Sequence, residues 1–155
     1  MAEHMTPADA AVALAGMPLP DSVRELERHL LQLPQIDLGT QMLVHGGVCS
    51  RAIMIPAGCC LTGALTSLPN TCIVLGDITV TTEQGVRRIT GFAMLPAEPV
   101  AKRAGIAHAD TWWITCHHTE LTDVAEIEDE MTPEADMLQT RRQALGHNAP
   151  QALED

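Results

Sequence analysis

A succession of short apolar runs between Gln35 and His118 places the strongest constraint on how this chain folds. Each run is only a few residues long and is bounded by Gly, Pro or Asn, as β-strands commonly are. No segment with a helical period separates the runs, which favours an antiparallel sandwich or barrel over a parallel α/β sheet. The predicted strands are Gln41–Val44, Arg51–Ile55, Leu61–Thr66, Thr71–Leu75, Ile78–Thr82, Val86–Thr90, Ala93–Leu95 and Thr111–His117.

Turn signals separate these runs, and the clearest hairpin lies at Glu83-Gln84-Gly85. Two β-branched runs flank this tripeptide, and Gly85 stands where a positive φ is easiest to adopt. The pattern predicts a hairpin with a three-residue loop. Further turns are predicted at Gly46-Gly47, Pro56-Ala57-Gly58, Pro69-Asn70 and Gly76-Asp77.

The N-terminal residues 1–34 are predicted to form a helical arm. Thr6-Pro7 is typical of a helix start, and the Ala-rich segment after it ends at Gly16. A second helix is predicted over Asp21–Leu33, before Pro34. Its apolar residues share one face, as expected of a packing stripe, and they are Val23, Leu26, Leu30 and Leu33.

The C-terminal residues 119–155 are also predicted to be helical, and they are strongly acidic. They contain ten acidic and two basic residues, a net charge of −8. Thr122-Asp123 is expected to cap a helix that places Val124, Ile127 and Met131 on one face. A further helix is predicted to start at Thr132-Pro133-Glu134 and to run to Gly146, and the tail beyond His147 is expected to be mobile unless a partner orders it.

Composition excludes several classes of function. The chain of 155 residues carries a formal net charge of −11, which disfavours nonspecific binding to nucleic acid or to an anionic membrane. It has only three aromatic residues, Phe92, Trp112 and Trp113, too few for a base-stacking platform. We therefore expect partners other than nucleic acid or membrane.

The N-terminus and the cysteines point to production in a cytoplasm. Residues 1–17 show neither a basic region nor the long apolar block of a secretory signal. The five cysteines are consequently expected to be reduced, mostly as buried structural thiols, with adjacent Cys59 and Cys60 on opposite faces of a strand. A disulfide or metal role for some of them is the alternative.

The order and spacing of several short motifs resemble those of cupins, and more narrowly of small cupin-like proteins of tailed bacteriophages and prophages. The resemblance covers about residues 33–122 and implies a cupin-like jelly-roll β-barrel over residues 35–118, commonly dimeric or trimeric. The motifs are Pro56-Ala57-Gly58, Leu61-Thr62-Gly63, residues 76–80, Glu83-Gln84-Gly85, residues 102–108 and Asp110-Thr111-Trp112.

The metal motif implied by that resemblance is degenerate here. Counted from Gly58, the two histidine positions fall on Ala64 and Thr66, and the glutamate position falls on Asn70 or Thr71. These side chains are poor ligands for Zn, Fe or Mn. Of the second motif, Gly105-Ile106-Ala107-His108 remains, and one imidazole does not hold a catalytic metal. We expect a degenerate pocket of Thr66, Asn70 and His108, with no metal, no cofactor and no catalytic residue.

Two alternatives use the remaining histidines and cysteines. His117 or His118 could approach His108 inside the barrel and give a two-imidazole group. Cys116 could act as a nucleophile with His108 or His118, although the sequence places neither a base nor an orienting group. A hydrogen-bonded or exposed histidine is the commoner case.

Candidate interface residues are the tandem tryptophans and the few basic residues. One ring of Trp112-Trp113 is expected in the core and the other at the surface or at a subunit contact. The basic pairs Arg87-Arg88 and Lys102-Arg103 could bind an acidic neighbour or the acidic C-terminal helix, or could be solvated.

These features lead to a functional hypothesis with two alternatives. The leading hypothesis is a noncatalytic phage virion protein, a capsid decoration or cement protein that forms a homo-oligomer and binds the major capsid protein or another virion protein. The alternatives are a metal-dependent cupin enzyme of dioxygenase or isomerase type, and a small-molecule-binding cupin module.

Overall fold

The computed structural model describes residues 21–144. The predicted helix after Thr6-Pro7, the end of the last helix at Gly146 and the tail beyond His147 lie outside the described residues. The elements are helix α1 (Asp21–Leu30), strands β1 (Gln41–His45), β2 (Val48–Ile55), β3 (Cys60–Thr62), β4 (Asn70–Thr82), β5 (Gly85–Ala97), β6 (Ala104–Ala107) and β7 (Thr111–His118), helix α2 (Val124–Met131), a 3₁₀ turn (Ala135–Met137) and helix α3 (Gln139–Ala144).

The seven strands form one antiparallel sheet. Its order is β1-β2-β7-β4-β6-β3, and β5 pairs with β4 along the whole of that strand. The first half of β4 pairs with β7 and the second half with β6, so the sheet curls where β4 passes from one neighbour to the other. The predicted class, a mainly β protein with an antiparallel sheet and flanking helices, is confirmed.

The prediction of a turn at Gly76-Asp77 is wrong, because β4 continues through these residues as a single bent strand. Gly76 has a φ of 152°, and a Cβ there would lie 2.4 Å from Oγ1 of Thr111. The same hydroxyl accepts a hydrogen bond from the backbone N–H of Asp77 at 3.1 Å. Gly76 therefore allows β7 to approach closely and β4 to bend without ending. Opposite it, Gly91 allows the two predicted runs of β5 to join.

Other strand limits differ for local reasons. The hairpin is confirmed, but its loop has two residues, because Thr82 pairs with Gly85. Strand β3 ends at Thr62, short of the predicted Thr66. Strand β6 was not predicted, because Ala104-Gly105-Ile106-Ala107 contains one β-branched residue and so gives little strand signal.

The helices pack as predicted only in part. Val23 and Leu26 are buried, but α1 ends at Leu30 and Leu33 is 54% exposed. Asp123 caps α2 by accepting a hydrogen bond from the N–H of Glu126 at 3.0 Å.

The predicted helix from Thr132 is instead a 3₁₀ turn followed by the short α3. The two are separated by Leu138, whose backbone is extended. Ile127 and Met131 of α2 are buried, whereas Val124 is exposed. Among residues 21–144, no helix is long and apolar enough to cross a membrane.

Candidate ligand cavity

The concave side of the curled sheet forms one wall of a cavity of about 520 Å³. The opposite side is covered by the end of α1, by residues 30–40, and by the segment from Met131 to Gln139. The volume falls within the range typical of small-molecule sites. The sheet contributes a mostly apolar surface, with Ile53, Ile55, Leu61, Ile78, Val80 and Trp113 among its side chains.

A row of polar side chains crosses this apolar wall. Arg51 of β2 is opposite Thr115 of β7, and Thr115 is opposite Cys72 of β4. All three line the cavity, because paired residues on adjacent strands face the same side of a sheet. Asn70, two residues before Cys72, also lines the cavity and accepts a hydrogen bond from the Cys72 thiol at 3.4 Å.

Arg51 is poorly supplied with acceptors for a side chain that is largely buried. Its Nη1 donates to Sδ of Met42 at 3.2 Å and to Oε2 of Glu128 at 3.4 Å, both long or weak contacts. The same oxygen of Glu128 also accepts from the hydroxyl of Thr140 at 2.8 Å. Glu128 is buried in α2, and its ion pair with Arg51 is long because its carboxylate oxygen is shared with Thr140.

Arg103 lines the cavity from the connection between β5 and β6, and its side chain is only 11% exposed. Nη2 donates to the backbone oxygen of Pro96 at 2.9 Å and lies 3.4 Å from a carboxylate oxygen of the largely exposed Glu83. Nε and Nη1 are buried without a hydrogen-bond partner among the described residues. A buried guanidinium in this state is energetically unfavourable.

Lys102, next to Arg103 in the sequence, has the opposite environment. Its side chain is fully buried, and Nζ donates to Glu134 at 2.8 Å, to the backbone oxygen of Gly63 at 2.9 Å and to Glu27 at 3.0 Å. The ammonium group can donate three hydrogen bonds, and all three are made. This cluster joins α1 and the C-terminal segment to the sheet at the border of the cavity.

The Lys102 cluster changes the pKa of Glu134. Burial by itself raises the pKa of this carboxyl, but the hydrogen bonds from Lys102 and from the N–H of Leu65 outweigh burial. The pKa is therefore lowered from its ordinary value, and the carboxylate is the stable form in the folded chain.

The cavity thiol is protonated rather than activated. Burial raises the pKa of Cys72, and the neighbouring Arg103 and Thr115 only partly oppose that effect. Burial also raises the pKa of Cys60, to about 11. All five cysteines are free thiols, and Cys59 and Cys60 pack against different core clusters, as predicted for opposite faces.

The predicted pocket is brought together only in part. Thr66 and Asn70 line the cavity, as does Ala64. His108 does not: it is exposed in the turn after β6, where its Nε2 lies 2.7 Å from the hydroxyl of Thr79. The placement of His108 in the pocket is wrong, because β6 ends at Ala107 and the chain leaves the sheet.

The structure also separates the other histidines and the proposed nucleophile. His118 is exposed beside Glu120, and Cys116 faces the outer side of the sheet, 3.4 Å from the hydroxyl of Ser50. His117 is buried with neither ring nitrogen hydrogen-bonded to a described residue, and burial lowers its pKa. The alternative of a histidine pair around His108 inside the barrel is therefore wrong. Among the described residues, Cys116 is hydrogen-bonded to Ser50 and to neither His108 nor His118.

These side chains do not fit the metal that the cupin resemblance implies. At the motif positions the sheet offers hydroxyl, amide and methyl groups rather than imidazole and carboxylate. Within residues 21–144, no three His, Cys, Asp or Glu side chains are grouped as metal ligands. We derive no chemistry through a metal at this place.

The predicted interface residues divide between surface and interior. Trp112 is 39% exposed, whereas Trp113 points into the cavity. Arg87 is exposed, and Arg88 forms a two-point hydrogen-bonded pair with Asp77 at 2.8 and 2.9 Å. For Lys102 the intramolecular alternative is confirmed, because it binds Glu134 of the acidic C-terminal segment. The solvated alternative is wrong for Lys102 and Arg103, because their charged groups turn inward.

The convex side of the sheet is apolar as well. We call outer face the side formed by Trp112, Leu75 and Phe92 in one cross-strand row and by Ile114, Ile73 and Met94 in the next. Leu75, Phe92 and Met94 are more than half exposed, and none of the six residues carries a charge. Contiguous exposed apolar surface of this kind commonly marks a protein contact.

The cavity residues that the sequence interpretation missed are Arg51, Cys72, Thr115 and Arg103. Arg51 had a detectable signal, because it shares the alternation of Cys49, Ile53 and Ile55 and thus sits at an inward position of β2. A charge at such a position indicates a buried polar site. Arg103 had no comparable signal, since it lies outside a strand.

No protein-family model matches the chain, and no curated protein sequence matches it. Among solved structures, the chain is similar to the cupin-2 domain of an XRE family transcriptional regulator from Enterobacter cloacae, with 9% identity, a TM-score of 0.43, and coverage of 52% of this chain and 96% of that one. It is also similar to ectoine synthase from P. lautus, with 20% identity, a TM-score of 0.47, and coverage of 63% and 76%. A third similar structure is the Cnp3 cupin domain of Schizosaccharomyces pombe, with 17% identity, a TM-score of 0.44, and coverage of 63% and 71%.

These similarities concern the fold alone. One of the three proteins is a regulator and another a synthase, so we carry over neither activity nor residue roles. The mainly β class rests on the sheet itself, and the solved structures to which the chain is similar include cupin domains.

Proposed function

We propose that the chain is a small-molecule-binding module whose ligand lies in the cavity on the concave side of the sheet. The observation that supports this proposal is the cavity of about 520 Å³, mostly apolar and crossed by the polar row Arg51, Thr115 and Cys72. Ligand sites combine these two properties, because the apolar wall supplies affinity and a few polar groups fix orientation.

A pair of matched variants tests this proposal. Leu61→Trp places a large ring in the cavity, and Leu75→Trp places the same ring on the outer face, where Leu75 is exposed. We expect a screen of neutral, cationic and anionic small molecules to find compounds that raise the melting temperature of the wild-type chain and of L75W, but not of L61W. A ligand stabilises the folded state only where it binds.

Two results would contradict the proposal. One is a screen in which no compound raises the melting temperature of the wild-type chain. The other is a stabilising compound whose effect persists fully in folded L61W, because that compound binds outside the cavity.

The second candidate function is an assembling structural protein, and the outer face favours it. Its two apolar rows are uncharged in an acidic chain, so this side of the sheet is where copies would meet with the least electrostatic repulsion. The homo-oligomeric phage capsid decoration protein expected from the sequence is the specific form of this proposal.

Phe92→Lys tests the assembly, with Val86→Lys as its control. Both residues are exposed on β5, but only Phe92 lies on the outer face as defined. Light scattering coupled to size-exclusion chromatography should show a dimer or trimer for the wild type and V86K, and a monomer for F92K. A monomeric wild type would contradict the assembly.

The virion role needs a separate measurement. A mass-spectrometric inventory of purified particles should contain the chain at a copy number comparable with the capsid protein. Particles that lack it in stoichiometric amounts would exclude that role.

A further inference from the structure

The charged side chains of the cavity differ in how well they are paired. Among residues 21–144, four charged side chains line it: Arg51, Arg103, Glu27 and Glu134. The two glutamates share Lys102, and Glu134 also lies 3.6 Å from Arg24, so two cations balance these two carboxylates. Arg51 and Arg103 are paired more weakly. Glu128 lies 3.4 Å from Arg51 and Glu83 lies 3.4 Å from Arg103, so both guanidinium groups keep donors for a further anion although the chain has a net charge of −11.

Each arginine has unused hydrogen-bond capacity. Nε and Nη1 of Arg103 have no acceptor among the described residues, and Nη2 donates to the oxygen of Pro96 at 2.9 Å and at longer range to Glu83 at 3.4 Å. Arg51 uses Nη1 alone, for a thioether and for a carboxylate oxygen at 3.4 Å. A guanidinium is a strong donor with several N–H groups, and its best acceptors are carboxylate and phosphate oxygens.

The two cations lie on either side of the same polar row. Arg51 begins the row on β2. Arg103 lies beyond its other end, because Nη2 donates to the oxygen of Pro96 on β5, next to the residue that pairs with Cys72. Adjacent strands are about 4.8 Å apart, so a row over three strands is about 10 Å long. An anionic group lying over the row would therefore have Arg51 at one end and Arg103 at the other.

The apolar wall of the cavity indicates the chemistry of the uncharged part of the ligand. Apart from the polar row the sheet side is aliphatic, with the ring of Trp113 beside Ile53 on the neighbouring strand. Two guanidinium groups and the Thr115 hydroxyl supply enough donors for a carboxylate, and the aliphatic wall suits a body without further polar groups. We infer that the ligand is a carboxylic acid with an apolar or aromatic body, its carboxylate held between Arg51 and Arg103.

This inference rests on the proposed binding function and is tested by matched pairs of compounds. Octanoate and phenylacetate are titrated calorimetrically into the full chain, together with octanamide and phenylacetamide, which have the same bodies without the charge. We expect the acids to bind at least about tenfold more tightly than the amides, as hydrogen bonds to a charged group imply.

Variants assign that difference to the two arginines. Arg103→Met and Arg51→Met are each expected to weaken acid binding by about tenfold or more and to weaken amide binding by a smaller factor. Arg103→Lys retains the charge and is expected to lose less. Arg87→Met, which removes an exposed cation outside the cavity, is the control and should change neither class.

The outcomes separate this inference from the function on which it rests. If amides bind as tightly as acids, or if folded R103M and R51M both retain full acid affinity, the carboxylate assignment is overturned while the binding module stands. If no acid binds, the assignment is also overturned. The binding module is then decided by the wider screen and by the comparison of L61W with L75W.

Discussion

Replacing Arg103 by methionine is expected to stabilise the ligand-free chain. Methionine replaces the apolar stem of the arginine side chain and needs no hydrogen-bond partner, so the substitution removes the two buried N–H sites that lack acceptors. Each unsatisfied buried donor costs about 1–3 kcal/mol. The substitution also removes the bond to the oxygen of Pro96, and a hydrogen bond to a charged group contributes about 1.5–3 kcal/mol.

The net effect follows from these opposing contributions. Pro96 is exposed, so its oxygen can bind water after the substitution, which reduces the loss. The long contact to Glu83 adds little, because the carboxylate is solvated. We therefore expect the free energy of unfolding to rise by about 1–3 kcal/mol. The melting temperature should rise by about 2–4 °C for each kcal/mol in a chain of this size.

Equilibrium unfolding in urea, followed by circular dichroism, measures this change. The midpoint should move to a higher urea concentration with an unchanged slope, because the folded and unfolded surfaces stay the same. Arg87→Met is the control, and its effect should stay within about 0.5 kcal/mol. A lower midpoint for R103M would refute the reasoning, since it would mean that the guanidinium stabilises the fold through contacts stronger than those described.

Three further predictions concern the scaffold. Lys102→Met removes the cation that Glu27 and Glu134 share, and urea unfolding should show a loss of about 3–5 kcal/mol, as for a broken buried ion pair. Gly76→Ala should cost about 2–4 kcal/mol in the same assay, because the φ of 152° is unfavourable for alanine and the methyl group meets Thr111. His117→Leu should raise the free energy of unfolding by about 1–3 kcal/mol and reduce its pH dependence below about pH 6.5, measured by urea titrations at several pH values.

The sign of the histidine effect follows from its lowered pKa. Between the folded pKa of His117 and its ordinary value, the unfolded chain binds more protons than the folded chain, so wild-type stability decreases as the pH falls through that range. His118→Leu is the control. Because His118 is exposed, its loss should leave the pH dependence of the unfolding free energy unchanged. An equal pH dependence of the unfolding free energy in H117L and the wild type would contradict the assignment of this effect to His117.

Controls for the other two variants come from the same chain. Gly63→Ala meets only an ordinary contact at 3.6 Å and should be nearly neutral, whereas equal effects of G63A and G76A would contradict the role of Gly76 in the bend. Arg87→Met, which removes an exposed cation, is again the control for Lys102→Met. A loss below about 1 kcal/mol in K102M would mean that the two glutamates find other partners or take up protons.

Local signals in the sequence were sufficient for the features that depend on neighbouring residues. Gly85 placed the hairpin, because a residue with positive φ is needed there. Asp123 placed the start of α2, because a capping side chain acts within three residues. The buried face of α1 at Val23 and Leu26 followed from helical spacing.

Features that depend on distant contacts were not predictable in this way. Gly76 indicated a turn because its actual role requires Thr111, 35 residues later, to approach its backbone. The burial of Lys102 requires Glu27, 75 residues earlier, and Glu134, 32 residues later. His108 appeared to complete a pocket only because the end of β6 was not visible in the sequence.

The adjacent residues Lys102 and Arg103 separate the two uses of a buried cation. Lys102 has every donor matched, so its removal can only destabilise the chain, and its role is to hold the helices against the sheet. Arg103 has donors without acceptors, so it lowers the stability of the ligand-free chain. A bound anion would supply the missing acceptors and so would remove this destabilisation. Opposite stability changes in K102M and R103M, with anion binding lost in R103M, would therefore identify Arg103 as a binding residue rather than a structural one.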